Sequence, residues 1–359
     1  MRVVDGRVTA FYTGVTGSTD ADRVEAVCRA HALDDGLEDW QADPVPLVRP
    51  GTGFSRDPFV WQDDRGWHLL LGTGDGVATG GVDHYRSPDG SAWERTGAFY
   101  GDPAIGGRHW ECPQLLRFPA GDVLVLSVQD GRPERPLLRV EHIVGRLVGD
   151  RFEGTAAGPL EHGDALYAPA VAPESEGRQL LWGWLRETVP DDRLADLEPV
   201  GALSLPLDGS LEDGRLVLRP APELTALRRS GGPVPSPGDL GPLVPPAEVE
   251  VVIGDGAVVL ELGPRESVEV RRSGRRLVVD RSRARTALWA PSGPVEAPVP
   301  DGPVALRLLL DGSVLVVVSD GVLGAVTRLY PLSAQCGRVR LAGDVRDARL
   351  WQLGLDQPT

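Results

Sequence analysis

Apolar residues in this chain gather in runs of five or six, most of them closed off by Gly, Pro or Asp: Val8–Tyr12, Pro58–Gln62, Trp67–Gly72, Val123–Val128, Gln179–Trp184 and Val200–Leu205. Runs this short and this regularly spaced predict β-strands, and many such strands predict a sandwich, barrel or propeller. Helical periodicity is scarce. Asp22–His31 reads as a helix, and Glu223–Arg229 as a weaker one.

A coarse repeat of about 50 residues runs through the first part, the size of a four-stranded propeller blade. Copies open near Arg56, Trp110 and Tyr167, with an incomplete one before Val48. Residues 229–246 are so dense in Pro and Gly that they read as a linker. Beyond it, Val249–Ile253, Ala257–Leu262, Ser267–Arg271, Arg276–Asp280, Val304–Leu310 and Ser313–Ser319 alternate as antiparallel strands with one buried face. The expected organisation is therefore an all-β propeller-type domain over 1–228, a linker, and a β-sandwich over 247–359.

Composition narrows the function. The formal charge of −15 over 359 residues repels polyanions, which argues against nucleic-acid binding. No apolar run approaches the roughly 18 residues of a membrane span, and the opening lacks the charged and apolar regions of a signal peptide. Cys28, Cys112 and Cys336 are odd in number and far apart, giving neither a disulfide framework nor a zinc spacing. These features fit a reduced, cytoplasmic setting with no membrane partner. The six histidines, among them His68, His84 and His109, show no metal-like spacing, and no cofactor is expected.

Three segments place an ionisable or aromatic group just before a proline at the head of an apolar strand: Phe54 to Val60 (FSRDPFV), His109 to Leu115 (HWECPQL) and Leu166 to Pro169 (LYAP). In a propeller such strand heads converge on the central cavity. Cleaving a glycosidic bond with retention needs two carboxyl groups about 5–5.5 Å apart, and Asp57 and Glu111 are the obvious pair. Either alone is as well explained as a surface ion pair or a cap, and Arg56 beside Asp57 as a structural salt bridge. Trp110, Trp182 and Trp184 offer faces for sugar stacking, although packing between blades is the stronger reading of the last two.

Arg56-Asp57-Pro58 and Glu111-Cys112-Pro113 resemble two signature motifs of glycoside hydrolase family 32, the invertases, levanases and inulinases. Further similar segments follow in family order: Tyr12-Thr13-Gly14, Asp164 to Pro169, Gly177 to Leu185, Gly201 to Pro206 and Asp311 to Pro331. The resemblance implies a five-bladed propeller followed by a β-sandwich, and a retaining enzyme acting on sucrose, levan or inulin without a metal. It makes Glu111 the acid/base and Asp57 the stabiliser that holds sugar hydroxyls. Arg56, Trp110, Cys112 and Tyr167 become the substrate-binding candidates. Cys112 either tunes the neighbouring Glu or is a small buried hydrophobe.

The family's nucleophile lies in a Trp-Met-Asn-Asp-Pro-Asn-Gly type motif, which these residues do not contain. By that comparison about four blades are present, and the first blade and the inner strand of the second are missing. An open ring exposes sheet faces, so a second copy or a partner is expected to cover its edge. Ala165, Leu166, Ala170 and Val316 also stand where the family carries sugar-contacting residues. These departures motivate an alternative, a non-hydrolytic relative that binds carbohydrate or a partner, or an enzyme that reuses the cavity for another chemistry.

Overall fold

The structure is a computed structural model that describes residues 1–17, 22–50, 54–74, 79–132, 135–172, 177–189, 194, 201–234, 238–284, 293–331 and 337–355. Among them no helix is long and apolar enough to cross a membrane. Contacts divide the chain into two compact units: Met1–Leu160 with Tyr167–Leu181 and Ser210–Leu216, and Glu161–Leu166 with Trp182–Gly209 and Val217–Thr359.

Four antiparallel sheets follow one another in chain order, the blade pattern of a β-propeller. The first holds β1 (Arg2–Val4), β2 (Arg7–Thr16), β3 (Val24–Ala32) and β4 (Trp40–Ala42). The second holds β5 (Phe54–Asp63), β6 (Gly66–Gly74), β7 (Gly80–Ser87) and β8 (Glu94–Tyr100). The third holds β9 (His109–Phe118), β10 (Gly121–Arg132), β11 (Arg135–Val148) and β12 (Arg151–Pro159). The fourth holds β13 (Leu166–Val171), β14 (Gln179–Leu185), β15 (Ala202–Leu203), β16 (Leu207–Glu212) and β17 (Arg215–Pro220), and the division between units runs through it.

The second strands read as unbroken apolar runs because both of their faces are covered. Leu69, Leu70 and Leu71 on β6, and Val123 to Leu126 on β10, are fully buried. Close packing also explains Gly72: a Cβ there would lie 2.1 Å from the carbonyl oxygen of Trp110. Two expectations change in the first sheet. Val24–Ala32 is strand β3, not a helix, because its alternate residues pair in register with β2, from Thr9 opposite His31 to Thr16 opposite Val24. The sheet also has a first strand of its own, the three-residue β1. Val3, Tyr12, Val15 and Val24 are exposed on this sheet, at which the sequence placed an open edge.

The first strands share one device. In β5, three steps from Arg56 to Phe59 face two steps on β6, and in β9, three steps from Glu111 to Gln114 face two on β10. Each is a one-residue bulge. The residue before proline in each first strand, Asp57, Cys112 and Ala168, has a left-handed backbone (φ 62°, 48° and 47°). Such a conformation costs a non-glycine residue about 1–3 kcal/mol. The N–H it frees finds a side-chain acceptor in the preceding sheet: Asp57 N–H donates to Thr13 Oγ1 (2.8 Å), Cys112 N–H to Asp57 Oδ2 (3.0 Å) and Ala168 N–H to Ser127 Oγ (3.1 Å).

The second unit is built on β18 (Arg228–Pro233), β19 (Asp239–Leu243), β20 (Ala247–Glu261), β21 (Ser267–Ser273), β22 (Arg276–Arg283), β23 (Val295–Pro298), β24 (Val304–Asp311), β25 (Val314–Ser319), β26 (Val322–Arg328) and β27 (Gly337–Leu353). They form one ten-stranded sheet. Strand β20 pairs with β24 along Ala247–Ile253 and with β21 along Ala257–Glu261, with β27 beside it throughout. A register break between Ile253 and Gly256 bends β20, so both halves of the sheet supply one core.

The expected linker is corrected here. Residues 228–233 and 239–243 are strands laid along β27, while 235–237 lie outside the described residues. Pro and Gly are admissible because these strands pair on one side only. At Gly231 (φ 122°) a Cβ would meet the Leu350 carbonyl oxygen at 2.0 Å. The weaker helix expectation becomes a 3-10 turn over Pro222–Leu227.

Beneath β18 the Glu248 carboxylate is fully buried between Arg228 and Arg307, and the Arg228 guanidinium lies over the Trp351 ring at 3.7 Å. Glu248→Gln leaves both cations without that charge and is expected to cost about 3 kcal/mol, read as a lower urea midpoint. Ser127→Ala leaves the Ala168 N–H without its acceptor and is expected to cost about 1–3 kcal/mol in the same measurement.

Candidate active site

The bulges set which side chains meet. Glu111, one residue before the left-handed Cys112, is 7 % exposed. Its Oε2 accepts from the Tyr167 hydroxyl at 2.9 Å, and its Oε1 lies 3.3 Å from Arg56 Nη1. Arg56 is itself held in place: its guanidinium carbon lies 3.8 Å from the Phe54 ring centre, and its Nη2 pairs with Glu25 Oε1 at 2.7 Å. Asp57 keeps one oxygen against Cys112, whose thiol also points at Oδ2 from 3.5 Å. The first strands of three sheets thus bring together two hydrogen-bonded sets, Arg56–Glu111–Tyr167 and Asp57–Cys112, adjacent along β5 and β9.

Burial dominates the electrostatics. It pushes the Glu111 carboxyl above its ordinary value; the Tyr167 hydroxyl pulls the other way, and the Asp57 charge adds to the rise. Burial likewise raises Asp57, against the Cys112 N–H and the Arg56 charge. The Cys112 thiol is pushed well above its usual range, first by burial and then by the two carboxylates, so it stays protonated and acts as a donor to Asp57. A buried acid whose pKa is raised beside a second carboxyl is the arrangement that general-acid chemistry needs.

Some side chains fall elsewhere than the sequence placed them. Trp110 is 1 % exposed, stacks with Tyr100 and donates its indole N–H to the Gly106 carbonyl at 2.8 Å. It is a packing residue with no face open to a sugar, which corrects its place among the substrate-binding candidates. Ala165 and Leu166 are buried in the second unit, as is Val316 on β25, whereas Ala170 is exposed. Asp164 belongs to the second unit too, paired with Arg281 at 2.9 Å and accepting from Thr327. Cys28 and Cys112 are free thiols, and Cys336 lies outside the described residues.

Glu25 was not foreseen. It is 4 % exposed, pairs with Arg23 and Arg56 through Oε1, and accepts the Ser55 N–H through Oε2. Glu25 is the second residue of β3, and a single Glu near the head of a strand carries no local signal that its carboxylate turns inward. Histidines distant in sequence also meet: His68 Nδ1 and His84 Nε2 are 2.9 Å apart, and Asp150 lies close enough for the three to surround an ion. Their ring nitrogens are already engaged, with Asp63 on His68 and Thr96 on His84, so a cation there would displace those hydrogen bonds. Burial holds His84 neutral, with its pKa lowered to about 4.

Comparison with known proteins fits this geometry. Residues 1–220 match the glycosyl hydrolases family 32 N-terminal domain. A sucrose-6-phosphate hydrolase of Bacillus subtilis is 29% identical over 248 residues, covering 63% of this chain and 50% of that enzyme. One of Salmonella typhimurium is 29% identical over 369 residues, covering 96% of this chain and 74% of its own. The chain thus spans half the length of the Bacillus relative. Among solved structures, a family 32 β-fructofuranosidase of Bombyx mori superposes with a TM-score of 0.80 at 22% identity, over 99% of this chain and 79% of its own. The propeller, its proline-marked strand heads and a match over more than half of its length place the chain in glycosyl hydrolase family 32.

Proposed function

We propose that the chain acts on β-fructofuranosides, with Glu111 as the general acid/base and Asp57 as the carboxylate that holds sugar hydroxyls. The observation that carries this is the buried Glu111 carboxyl, fixed by Tyr167 and Arg56 beside Asp57. In its raised, protonated state Glu111 donates to the leaving glycosidic oxygen as the bond to the fructosyl carbon breaks, then takes a proton from the incoming water. Arg56 orients Glu111, and the Cys112 thiol and N–H fix Asp57. The matched hydrolases of sucrose 6-phosphate make that sugar, with sucrose, the first substrate to try.

Retention further requires a carboxylate that attacks the anomeric carbon. Glu25 joins the cluster, but both of its oxygens already accept from Arg23, Arg56 and Ser55. It acts as a brace for Arg56. This observation favours a second reading, in which these residues bind a fructoside without cutting it.

The two readings separate in one assay. On the hydrolytic reading, the purified chain releases fructose from sucrose, sucrose 6-phosphate or levan, and Glu111→Gln lowers the rate about 100-fold or more. Saturable binding of these sugars without fructose release selects the second reading, and neither binding nor release sinks both.

The pH dependence has a fixed sign. Glu111 works protonated, so activity falls as pH rises through its raised pKa. Because the Tyr167 hydroxyl lowers that pKa, Tyr167→Phe is expected to move the alkaline limb to higher pH. Carbon-13 NMR of the Glu111 carboxyl should show the same upward move, whether or not the chain turns over.

A further inference from the structure

Away from the carboxylates, the same first strands carry a second set of residues. Phe59 and Trp61 on β5 and Arg117 on β9 line a cavity of about 310 Å³, together with Arg2, Trp67 and Gln179. Arg117 stands six positions beyond Glu111 along β9, about 20 Å at a strand's rise, and Phe59 two positions beyond Asp57. None of Arg56, Asp57, Glu111, Cys112 and Tyr167 lines the cavity.

Three observations give it a ligand preference. Its lining includes the cations Arg2 and Arg117 and, among the described residues, no carboxylate, in a chain of formal charge −15. Arg2 is half-buried, its hydrogen bonds go to the carbonyl oxygens of Val60 and Met1, and its guanidinium sits 5.3 Å from the Phe59 ring centre. Burial accordingly lowers its pKa, with no carboxylate to offset the effect. Arg117 is half exposed, and its Nε lies 3.8 Å from Asp122, too far for a hydrogen bond.

We propose that this cavity binds a small organic anion, its phosphate or carboxylate group held by Arg2 and Arg117 and its body resting on Phe59, Trp61 and Trp67. The volume falls at the lower end of small-molecule sites and exceeds what a bare oxyanion fills. A neutral sugar suits it poorly, because no carboxylate is present to accept from hydroxyl groups.

The test is titration of the full chain with glucose 6-phosphate and with citrate by calorimetry, alongside NMR of the Trp61 indole N–H, with inorganic phosphate as the bare-oxyanion control. At least one of the two organic anions is expected to bind saturably, more tightly than phosphate, and to shift the Trp61 resonance. Arg117→Met should weaken it about 10-fold or more, the loss of one charge-assisted hydrogen bond. Arg117 is exposed enough for that variant to fold, and Arg2→Met should weaken binding similarly. Glu111→Gln should leave the affinity unchanged, which separates this site from the carboxylates. Failure of both organic anions to bind, binding no tighter than phosphate, unchanged affinity in Arg117→Met, or loss of binding in Glu111→Gln would each overturn the proposal.

Discussion

One backbone arrangement ties the second, third and fourth sheets: the residue before proline in their first strands is left-handed, and its released N–H finds an acceptor in the sheet before it. Thr13, Asp57 and Ser127 supply those acceptors in turn. Each hydrogen bond is worth only about 1 kcal/mol net. Together they tie successive sheets at the level where the chemistry lies, and they offset conformations that would otherwise be avoided. The position of Glu111 follows, since it is one residue from a bulge whose geometry is locked from both sides.

Asp57 has two parts in this scheme. Its carboxylate lies beside the Glu111 cluster and also receives the Cys112 N–H that fixes the third sheet's bulge. Replacing it therefore disturbs backbone as well as chemistry. Glu111 carries no such duty, being held by the side chains of Tyr167 and Arg56, so its substitution is the cleaner probe. Arg56 is restrained in turn by the Phe54 ring and by Glu25, a residue whose own charge is spent on that brace.

Much of this was legible in the sequence, because proline, acidic and aromatic residues repeat at blade spacing and the apolar runs mark strands covered on both faces. What stayed hidden has physical causes. Thr13, Ser127 and Glu25 act across 30 to 44 residues of chain, and no local pattern distinguishes an acceptor that will face a bulge from one that will face water. Residues 229–246 have loop composition, but β18 and β19 pair only along β27, which tolerates Pro233 and Pro242. The Val24–Ala32 segment satisfies helical and strand periods alike, and pairing with β2 decided between them. Trp110 sits within a catalytic motif and still belongs to the core, since the residues of a strand next to a functional side chain point the other way.

The residue before proline is Asp in the second sheet, Cys in the third and Ala in the fourth, all with nearly the same backbone angle. Backbone and side chain are thus uncoupled at these positions: the fold specifies a socket and leaves its occupant open. The Asp57 socket is the exception, because its carboxylate also accepts the Cys112 N–H of the next bulge. Divergence of specificity within such a scaffold can proceed by changing occupants one socket at a time.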